Sequence, residues 1–408
     1  MTVKPKKILI VGAGIGGLTT ALACLHHGFE VQVLEQAPAL ENMGAGIQIP
    51  PNASKILAAL GLEQEIAAHA FRPQALQTRM GQSGRQVFSI ALDAQTLNHW
   101  GAAYYHIHRA DYVAVLSTAL QARANNALLL NAAFSHYQQT ADGVVAHMAD
   151  GRQIHGDILI GADGLRSSVR QQILGPEQPR FTGNMAWRAV VPLAALECPP
   201  PTSACVWMGP GRHAVTYHLG DGLVNFIGVV ERQDFLQEDW HTTGARQQAA
   251  ADFADWHPMI TGLIDKAEAL HCWGLYDRQT LSTWVDGRVG LLGDAAHPML
   301  PFMAQGAAMA VEDGWALARC LASYASDTPR AALNIADALG DYQRHRLPRT
   351  QAAQNASRRN AKTFHRSTVV SQLANYGPMW LGGKWAPNLV RQRLDWLYCH
   401  DETAVTVG

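Results

Sequence analysis

The chain has 408 residues, 48% of them hydrophobic. This length exceeds what one typical hydrophobic core accommodates, so we expect two domains, or one large domain with an insertion. Its 32 Lys and Arg against 33 Asp and Glu give a net charge of −1, which argues against nucleic-acid or anionic-membrane binding and favours a small, mostly uncharged partner. The six cysteines are scattered without a C-x-x-C pair, and no apolar run reaches about 18 residues. We therefore expect a soluble cytoplasmic protein without a metal site, redox dithiol or membrane span.

The N-terminal segment carries the pattern of a dinucleotide site. The buried strand ILIV is followed by glycines in G-x-G-x-x-G spacing, Gly12, Gly14 and Gly17, then by a helix and a second strand that ends at Glu35. Such glycines permit a tight turn, close approach of the backbone to a pyrophosphate, and close packing of helix on strand. Glu35 is placed to accept a hydrogen bond from a ribose hydroxyl, and Gln36 beside it is a further candidate contact. The glycine pattern alone leaves the choice between NAD and FAD open.

Two later segments each join a strand to a turn that bears an aspartate. The strand of GDILIGADGLRSSVR ends just before Asp163, and that of GRVGLLGDAAHPMLPFMAQGAAMAVEDG ends just before Asp294. The second segment continues into a helix whose start, around Gly306 and Ala307, has few bulky side chains. Its unpaired N–H groups are therefore open to a large, flat ligand. An NAD-dependent dehydrogenase would explain the glycine pattern but would leave both aspartate segments without a purpose.

The three segments, in this order and at these separations, resemble the flavin-dependent aromatic hydroxylases, the single-component class A monooxygenases. The resemblance covers about residues 7 to 350. It implies that the first segment holds the adenosine and pyrophosphate of FAD, that Asp294 binds the ribityl chain, and that the Asp163 segment serves both FAD and the nicotinamide. It also implies that the isoalloxazine ring lies over Pro298 and residues 304–306.

The same resemblance indicates the substrate pocket. In the segment YYHIHRADY, Arg109 is expected to contact FAD, and Tyr105 is expected to reach the substrate. The resemblance also implies that Gln48 or Ile47, in the loop after the Glu35 strand, borders the substrate. Pro301 and Phe302 occupy a short segment in which some members place a substrate-contacting Gln or His.

Between residues 181 and 278 the pattern changes to short apolar strands with turn signals between them. His213 and Tyr217 are four residues apart on one of these strands, so they share a face and lie about 13 Å apart at ~3.3 Å per residue. The resemblance makes this pair the catalytic contacts of the ring hydroxyl and its acid group. A histidine with the usual pKa of about 6.5 suits accepting a phenol proton at neutral pH.

The predicted fold is α/β: a Rossmann-like FAD-binding domain with an inserted substrate domain on a mainly antiparallel β-sheet, of the para-hydroxybenzoate hydroxylase type, plus C-terminal helices. The FAD-binding domain is predicted to comprise residues 1–180 and 272–350, and the substrate domain residues 181–271. Residues 351–408 are predicted to form the C-terminal helical segment.

The expected activity is hydroxylation of a small phenolic aromatic acid through a C4a-hydroperoxyflavin. It requires tightly but non-covalently bound FAD, NADH or NADPH as a transient co-substrate, and O₂. A salicylate-like monohydroxybenzoate ranks first as substrate, and another phenol or a hydroxypyridine carboxylate ranks second. A flavin disulfide reductase would need a dithiol that is absent, whereas a catalytically silent FAD-binding protein stays an alternative. The chain is expected to be a monomer or a homodimer.

Overall fold

The computed structural model describes residues 6–40, 45–232, 246–324, 334–385 and 387–406. The strands are β1 (Lys7–Val11), β2 (Glu30–Leu34), β3 (Gly46–Ile49), β4 (Ala75–Met80), β5 (Gln86–Ala91), β6 (Tyr105–His108), β7 (Leu128–Leu129), β8 (Phe134–Gln139), β9 (Val144–Met148), β10 (Gln153–Gly156), β11 (Ile158–Gly161), β12 (Arg180–Pro192), β13 (Ala204–Gly209), β14 (Arg212–His218), β15 (Leu223–Glu231), β16 (His271–Asp277), β17 (Val285–Asp286) and β18 (Val289–Leu291). The helices are α1 (Ile15–His26), α2 (Pro51–Ala59), α3 (Glu63–His69), α4 (Ala94–Trp100), α5 (Arg109–Arg123), α6 (Ser168–Leu174), α7 (Arg246–Asp252), α8 (Pro258–Lys266), α9 (Gly306–Tyr324), α10 (Ile335–Phe364), α11 (Val369–Trp385) and α12 (Pro387–Tyr398).

A mainly parallel sheet with strand order β17-β18-β11-β1-β2-β7 forms the centre of one half of the molecule. β1 pairs in parallel with β2 and β11, and β11 pairs in parallel with β18. The apolar run at the N-terminus is fully buried because α1, β9 and β10 pack against this sheet. Since the carboxyl ends of parallel strands meet at one edge, β1, β11 and β18 bring Gly12, Asp163 and Asp294 to the same crevice. The predicted Rossmann-like arrangement is confirmed.

A seven-stranded sheet with strand order β16-β12-β15-β14-β13-β4-β5 forms the other half. Its strands from β12 to β16 pair antiparallel, as predicted. β4 joins the sheet by a parallel ladder with β13, so residues 75–91 extend the sheet beyond the range 181–271. One face packs on α7 and α8 through a core that contains Trp187, Trp207 and Phe253. The opposite face carries His213, which lines the cavity described below.

The C-terminal helices pack on both halves, as α10 contacts α9 and α11 lies against β5. Arg346 of α10 is fully buried and pairs with three carboxylates, at 2.8 Å from Glu312, 2.8 Å from Asp313 and 3.2 Å from Glu402. This cluster, which we call the Arg346 cluster, ties the end of the chain to α9. Among the described residues no helix is both long and apolar enough to cross a membrane.

Candidate active site

The turn between β1 and α1 explains why three glycines are needed. Gly12 has a φ of +102°, and a Cβ there would lie 2.6 Å from the Ala162 carbonyl oxygen. A Cβ at Gly17 would lie 2.0 Å from the carbonyl oxygen of Gly12. Both glycines therefore serve close packing of the backbone. A Cβ at Gly14 would meet nothing within 4 Å, because Gly14 faces open space at the N-terminus of α1.

Glu35 fixes the shape of this turn. Its Oε2 accepts a hydrogen bond from the Ala13 amide at 2.8 Å, and its Oε1 accepts one from the Ala37 amide at 2.9 Å. Each carboxylate oxygen keeps a second lone pair, so Glu35 can still accept a ribose hydroxyl. Gln36 follows it with an exposed side chain.

The turn after β11 leaves one carboxylate oxygen without a partner. Asp163 Oδ2 accepts from the amides of Ser168 at 2.8 Å and Val169 at 3.2 Å, which anchors the start of α6. Its Oδ1 is buried and has no hydrogen-bond partner in the part of the chain that the structure describes. Burial raises the pKa of Asp163. An unsatisfied buried oxygen of this kind is a candidate acceptor for a ligand hydroxyl.

Arg170 joins the Asp163 turn to the Asp294 turn. Its Nη2 donates to the Leu165 carbonyl at 2.6 Å, and its Nη1 donates to the Ala295 carbonyl at 3.1 Å. The side chain is 2% exposed, so the link is shielded from solvent. The two turns are therefore held at a fixed separation, which a ligand spanning them requires.

Asp294 opens into the cavity from a turn that Asp313 of α9 holds in place. Asp313 Oδ2 accepts from the Gly293 amide at 3.0 Å and lies 2.5 Å from His297 Nε2. The surrounding protein raises the pKa of Asp294, although the positive charges of Arg109 and other neighbours oppose this shift. Asp313 holds the Asp294 turn in place, and sequence reasoning did not single it out.

One cavity of about 820 Å³ connects the start of α9 with the inner face of the seven-stranded sheet. Eight of the predicted site residues line it: Gln48, His213, Tyr217, Asp294, Pro301, Phe302, Gly306 and Ala307. The sheet supplies His213, Val215 and Tyr217 because every second residue of β14 faces the same side. The cavity therefore brings the predicted flavin contacts and the predicted substrate contacts into one space.

Tyr105 and Pro298, which were expected at the cavity, do not line it. Tyr105 is turned the other way, where its hydroxyl accepts from Arg72 Nη2 at 3.1 Å. Tyr104 lines the cavity instead and donates to Gln48 Oε1 at 2.6 Å, because neighbouring residues of an extended chain point to opposite faces. Pro298 is buried behind the loop, and its carbonyl accepts from Gln354 Nε2 at 2.8 Å. The expected positions of Tyr105 and Pro298 at the cavity are corrected accordingly.

The predicted catalytic pair, His213 and Tyr217, differs from the expectation in its pKa values. His213 is 1% exposed, and burial together with the neighbouring His365 lowers its pKa well below the usual 6.5. Burial raises the pKa of Tyr217 above its usual range, although Arg188 opposes that shift. At neutral pH the histidine is therefore a neutral acceptor and the tyrosine a neutral hydroxyl. The reasoning from an ordinary histidine pKa was wrong in this respect.

Arg188 is a cation in the cavity wall that sequence reasoning did not single out. Its guanidinium lies 5.6 Å from the centre of the Trp273 ring, and its Nε donates no hydrogen bond within the described residues. Burial lowers the pKa of Arg188, yet a guanidinium stays charged at any physiological pH. The segment MAWRAVVPL contained a signal for this residue. Met185 and Trp187 face the hydrophobic core on one side of the strand, and Arg188 lies on the other side. A charged residue on the opposite face of such a strand indicates a polar contact there.

These features fit FAD. The open space at Gly14 lies where the N-terminus of α1 offers amide donors to a pyrophosphate. The unsatisfied Asp163 Oδ1 and the cavity-facing Asp294 are acceptors for hydroxyls of the ribityl chain. At Gly306, where α9 begins, a Cβ would find only ordinary contacts at 3.7 and 3.9 Å, so a flat ring has access to the backbone of the first turn.

Comparison with known proteins identifies the family. The family model described as FAD binding domain matches residues 6–357. The chain is a class A flavin monooxygenase. The monooxygenase is 37% identical over 360 residues to 6-hydroxynicotinate 3-monooxygenase of Pseudomonas fluorescens, which covers 87% of this chain and 91% of the relative. It is 35% identical over 395 residues to 3-hydroxybenzoate 6-hydroxylase 1 of Aquipseudomonas alcaligenes, with 96% and 97% covered.

Solved structures agree with this assignment. The monooxygenase superposes on Klebsiella pneumoniae HpxO complexed with FAD and uric acid with a TM-score of 0.83, at 26% identity and with 96% of each chain covered. It superposes on a salicylate hydroxylase substrate complex with a TM-score of 0.80, at 23% identity and with 98% and 97% covered, a likeness of fold.

The enzyme class and the cofactor FAD that the sequence predicted are therefore confirmed. The monooxygenase is an FAD-dependent aromatic hydroxylase that uses NAD(P)H and O₂, as its family does. The silent FAD-binding protein and the NAD-dependent dehydrogenase no longer apply. The roles of individual site residues stay predictions.

Proposed function

We propose that this monooxygenase hydroxylates a small monocyclic aromatic acid that carries a ring hydroxyl. The observation that supports the proposal is that one cavity is lined both by the start of α9 and by His213, Tyr217 and Arg188. FAD, when bound with its ring at the start of α9, supplies the activation of O₂ and the oxygen atom that is transferred. A substrate ring in the remaining space would lie between the flavin and β14.

Arg188 would bind the carboxylate of the substrate. Its buried Nε has a free donor, and a guanidinium can present two parallel N–H groups to a carboxylate. Arg393 also lines the cavity but is exposed to solvent, so it is the weaker anchor. The proposal that the substrate is an aromatic acid and not an uncharged phenol rests on this contact.

His213 would accept the proton of the ring hydroxyl. A neutral imidazole has one nitrogen free to accept, and a phenolate is a far better nucleophile than a phenol towards an electrophilic oxygen. Tyr217 would donate a hydrogen bond to the oxygen of the substrate, since its raised pKa keeps its own proton in place. The two side chains share one face of β14, so both can reach the same ring.

The cavity wall would keep water away from the reaction. Leu300, Phe302 and Val229 line it with apolar atoms, and Pro301 adds a further apolar surface. A dry site limits the loss of activated oxygen as H₂O₂ and strengthens the charge interactions inside.

Salicylate-like monohydroxybenzoates rank first from the sequence, but relatives named for 6-hydroxynicotinate and 3-hydroxybenzoate are 37% and 35% identical to this chain. The test is therefore a panel of salicylate, 3-hydroxybenzoate, 6-hydroxynicotinate and 3-amino-4-hydroxybenzoate. Product and H₂O₂ formed per NADH or NADPH oxidised are measured for each acid and for its carboxamide. We expect one acid to give product with little peroxide, and its carboxamide to bind poorly. Equal turnover of acid and carboxamide, or product from none of the acids, would contradict the proposal.

A further inference from the structure

A chain of three titratable side chains leads from the cavity to the surface. His213 Nδ1 lies 2.6 Å from Nε2 of His365, the residue that follows α10. His365 Nδ1 lies 2.9 Å from Oε1 of Glu231 at the end of β15. The side chain of His365 is 3% exposed and that of Glu231 is 56% exposed. The chain therefore begins at a buried ring in the cavity wall and ends in solvent.

The contacts fix where the protons are when both rings are neutral. The Glu231 carboxylate can only accept, so Nδ1 of His365 carries a proton and its Nε2 does not. His365 Nε2 is then an acceptor, so Nδ1 of His213 must be the donor across the 2.6 Å contact. This leaves Nε2 of His213 as the unprotonated nitrogen available to a ligand in the cavity. The tautomer required for accepting a phenol proton is thus set from the surface.

We propose that His213, His365 and Glu231 form a proton relay that carries the proton of the substrate hydroxyl to solvent. The relay rests on the proposed function, because it needs a phenolic ligand at His213. The hydroxyl proton passes to His213 Nε2 as the proton on His213 Nδ1 passes to His365 Nε2. The proton on His365 Nδ1 then passes to Glu231 Oε1 and from there to water. Each ring gains one proton and loses one, no electrons are exchanged, and the reverse passage restores the starting tautomers when the product oxygen is protonated.

The surroundings of His213 explain why a relay is needed. Within the described residues the aromatic rings against His213 are those of His365, Phe302 and Phe364, and His365 is the side chain to which its ring is hydrogen-bonded. An imidazolium with no carboxylate beside it would be costly in this buried position. A relay avoids that cost because neither ring keeps a net charge, and the proton ends on the exposed Glu231. His365 and Glu231 are positioning and relay residues, since neither lines the cavity.

The relay can be tested without turnover. The probe is 3-hydroxy-4-nitrobenzoate, an acid whose phenolate absorbs visible light, added to the oxidised FAD holoenzyme in a stopped-flow pH jump. The rate of phenolate formation on the enzyme is compared among the wild type, Glu231→Gln, His365→Ala and the control Glu197→Gln, which removes an exposed carboxylate from a different loop.

We expect Glu231→Gln and His365→Ala to slow ionisation of the bound probe by about 10-fold or more, below the 10²–10⁴ range of a lost acid–base group because His213 remains. The affinity for the probe should stay close to that of the wild type, and Glu197→Gln should behave as the wild type. Added imidazole should restore the rate of His365→Ala, and added acetate that of Glu231→Gln, which a merely structural role would not allow. Glu231→Gln keeps the test informative if His365→Ala does not fold, because its side chain is half exposed.

The outcomes separate the two proposals. If the wild type ionises the probe rapidly and both relay variants do so at the same rate, or if slow variants are not rescued, the relay is overturned while the proposed function stands. If the wild type binds no phenolic acid or leaves it un-ionised, the proposed function fails and the relay fails with it.

Discussion

Gly14 is the position at which FAD binding can be separated from folding. Its backbone has φ −72° and ψ 179°, an extended conformation that valine adopts freely, and a Cβ there meets nothing within 4 Å. Gly14→Val should therefore cost the fold only the preference of a helix N-cap for glycine over valine, about 1 kcal/mol. The isopropyl group would fill the space in front of the first turn of α1. If it displaces two charge-assisted hydrogen bonds to the pyrophosphate, at about 1.5–3 kcal/mol each, FAD affinity should fall by about 10²- to 10⁴-fold.

The assay compares flavin absorbance per protein after purification, FAD affinity of the stripped protein by titration, and thermal unfolding by circular dichroism. The matched control is Gly17→Val, in which the new Cβ would lie 2.0 Å from the carbonyl oxygen of Gly12, so this variant should fail to fold. Gly14→Val should fold and be colourless. A folded Gly14→Val that binds FAD as tightly as the wild type would refute the assignment of this turn to the pyrophosphate.

Five further variants have expected outcomes. Asp294→Ala should weaken FAD binding by about 1–3 kcal/mol, the value of one or two hydrogen bonds to the ribityl chain, measured by the same titration; an unchanged affinity would remove Asp294 from the flavin contacts. His213→Ala should keep FAD and still oxidise NAD(P)H, but it should hydroxylate about 10²- to 10⁴-fold more slowly, with most of the oxygen recovered as H₂O₂. Unchanged coupling in this variant would leave His213 a structural residue. Tyr217→Phe should mainly weaken substrate binding. Arg188→Met should raise the KM for the acid by about 10- to 100-fold with little effect on the KM for its carboxamide, and equal effects on both would assign Arg188 to another role. Arg346→Met should lower the free energy of unfolding by roughly 3–5 kcal/mol, because three buried carboxylates lose their shared cation.

The Arg346 cluster also makes the free energy of unfolding decrease at acid pH. Burial opposes ionisation of Glu402 and Asp313, but contacts with neighbouring histidines and with Arg346 outweigh it and lower both pKa values in the folded state. The unfolded chain, with carboxyl pKa values of about 4, therefore binds more protons at low pH. The stabilisation is complete above that range and is lost progressively as the pH falls from it through the lower pKa values of the folded state. Chemical unfolding of the wild type at a series of pH values below about 5 should show this loss, and Glu402→Gln should reduce its size.

Most of the predictions from the sequence depended on local patterns. The glycine turn, Glu35 and the carboxyl-edge positions of Asp163 and Asp294 depend only on short strand-turn-helix units, so they are readable without a structure. The same holds for His213 and Tyr217, because a period of two places both on one face of a strand wherever the strand lies. In an extended chain Tyr104 and Tyr105 point to opposite faces, but this alternation does not say which face looks into the cavity. The packing of β6 against β3 decides that, and it favours Tyr104.

Long-range partners had no signal in the sequence. His365 is 152 positions from His213, and Asp313 is 33 positions from Arg346 on a different helix. Buried polar residues of this kind look like ordinary surface positions of helices and loops until the elements are placed together. The lowered pKa of His213 has the same origin, since burial and a histidine neighbour are both tertiary effects.

The parallel ladder between β4 and β13 restricts how this enzyme can be recombined with its relatives. Leu76 and Thr78 pair with Ala204 and Val206 across that ladder, and all four line the cavity. A chimera that exchanged only residues 181–271 would replace one side of the ladder and keep the other, so cavity shape and strand register would be set by two different parents. To exchange substrate preference, residues 75–91 must therefore be transplanted together with residues 181–271. A library that shuffles the two segments independently should be dominated by poorly packed proteins.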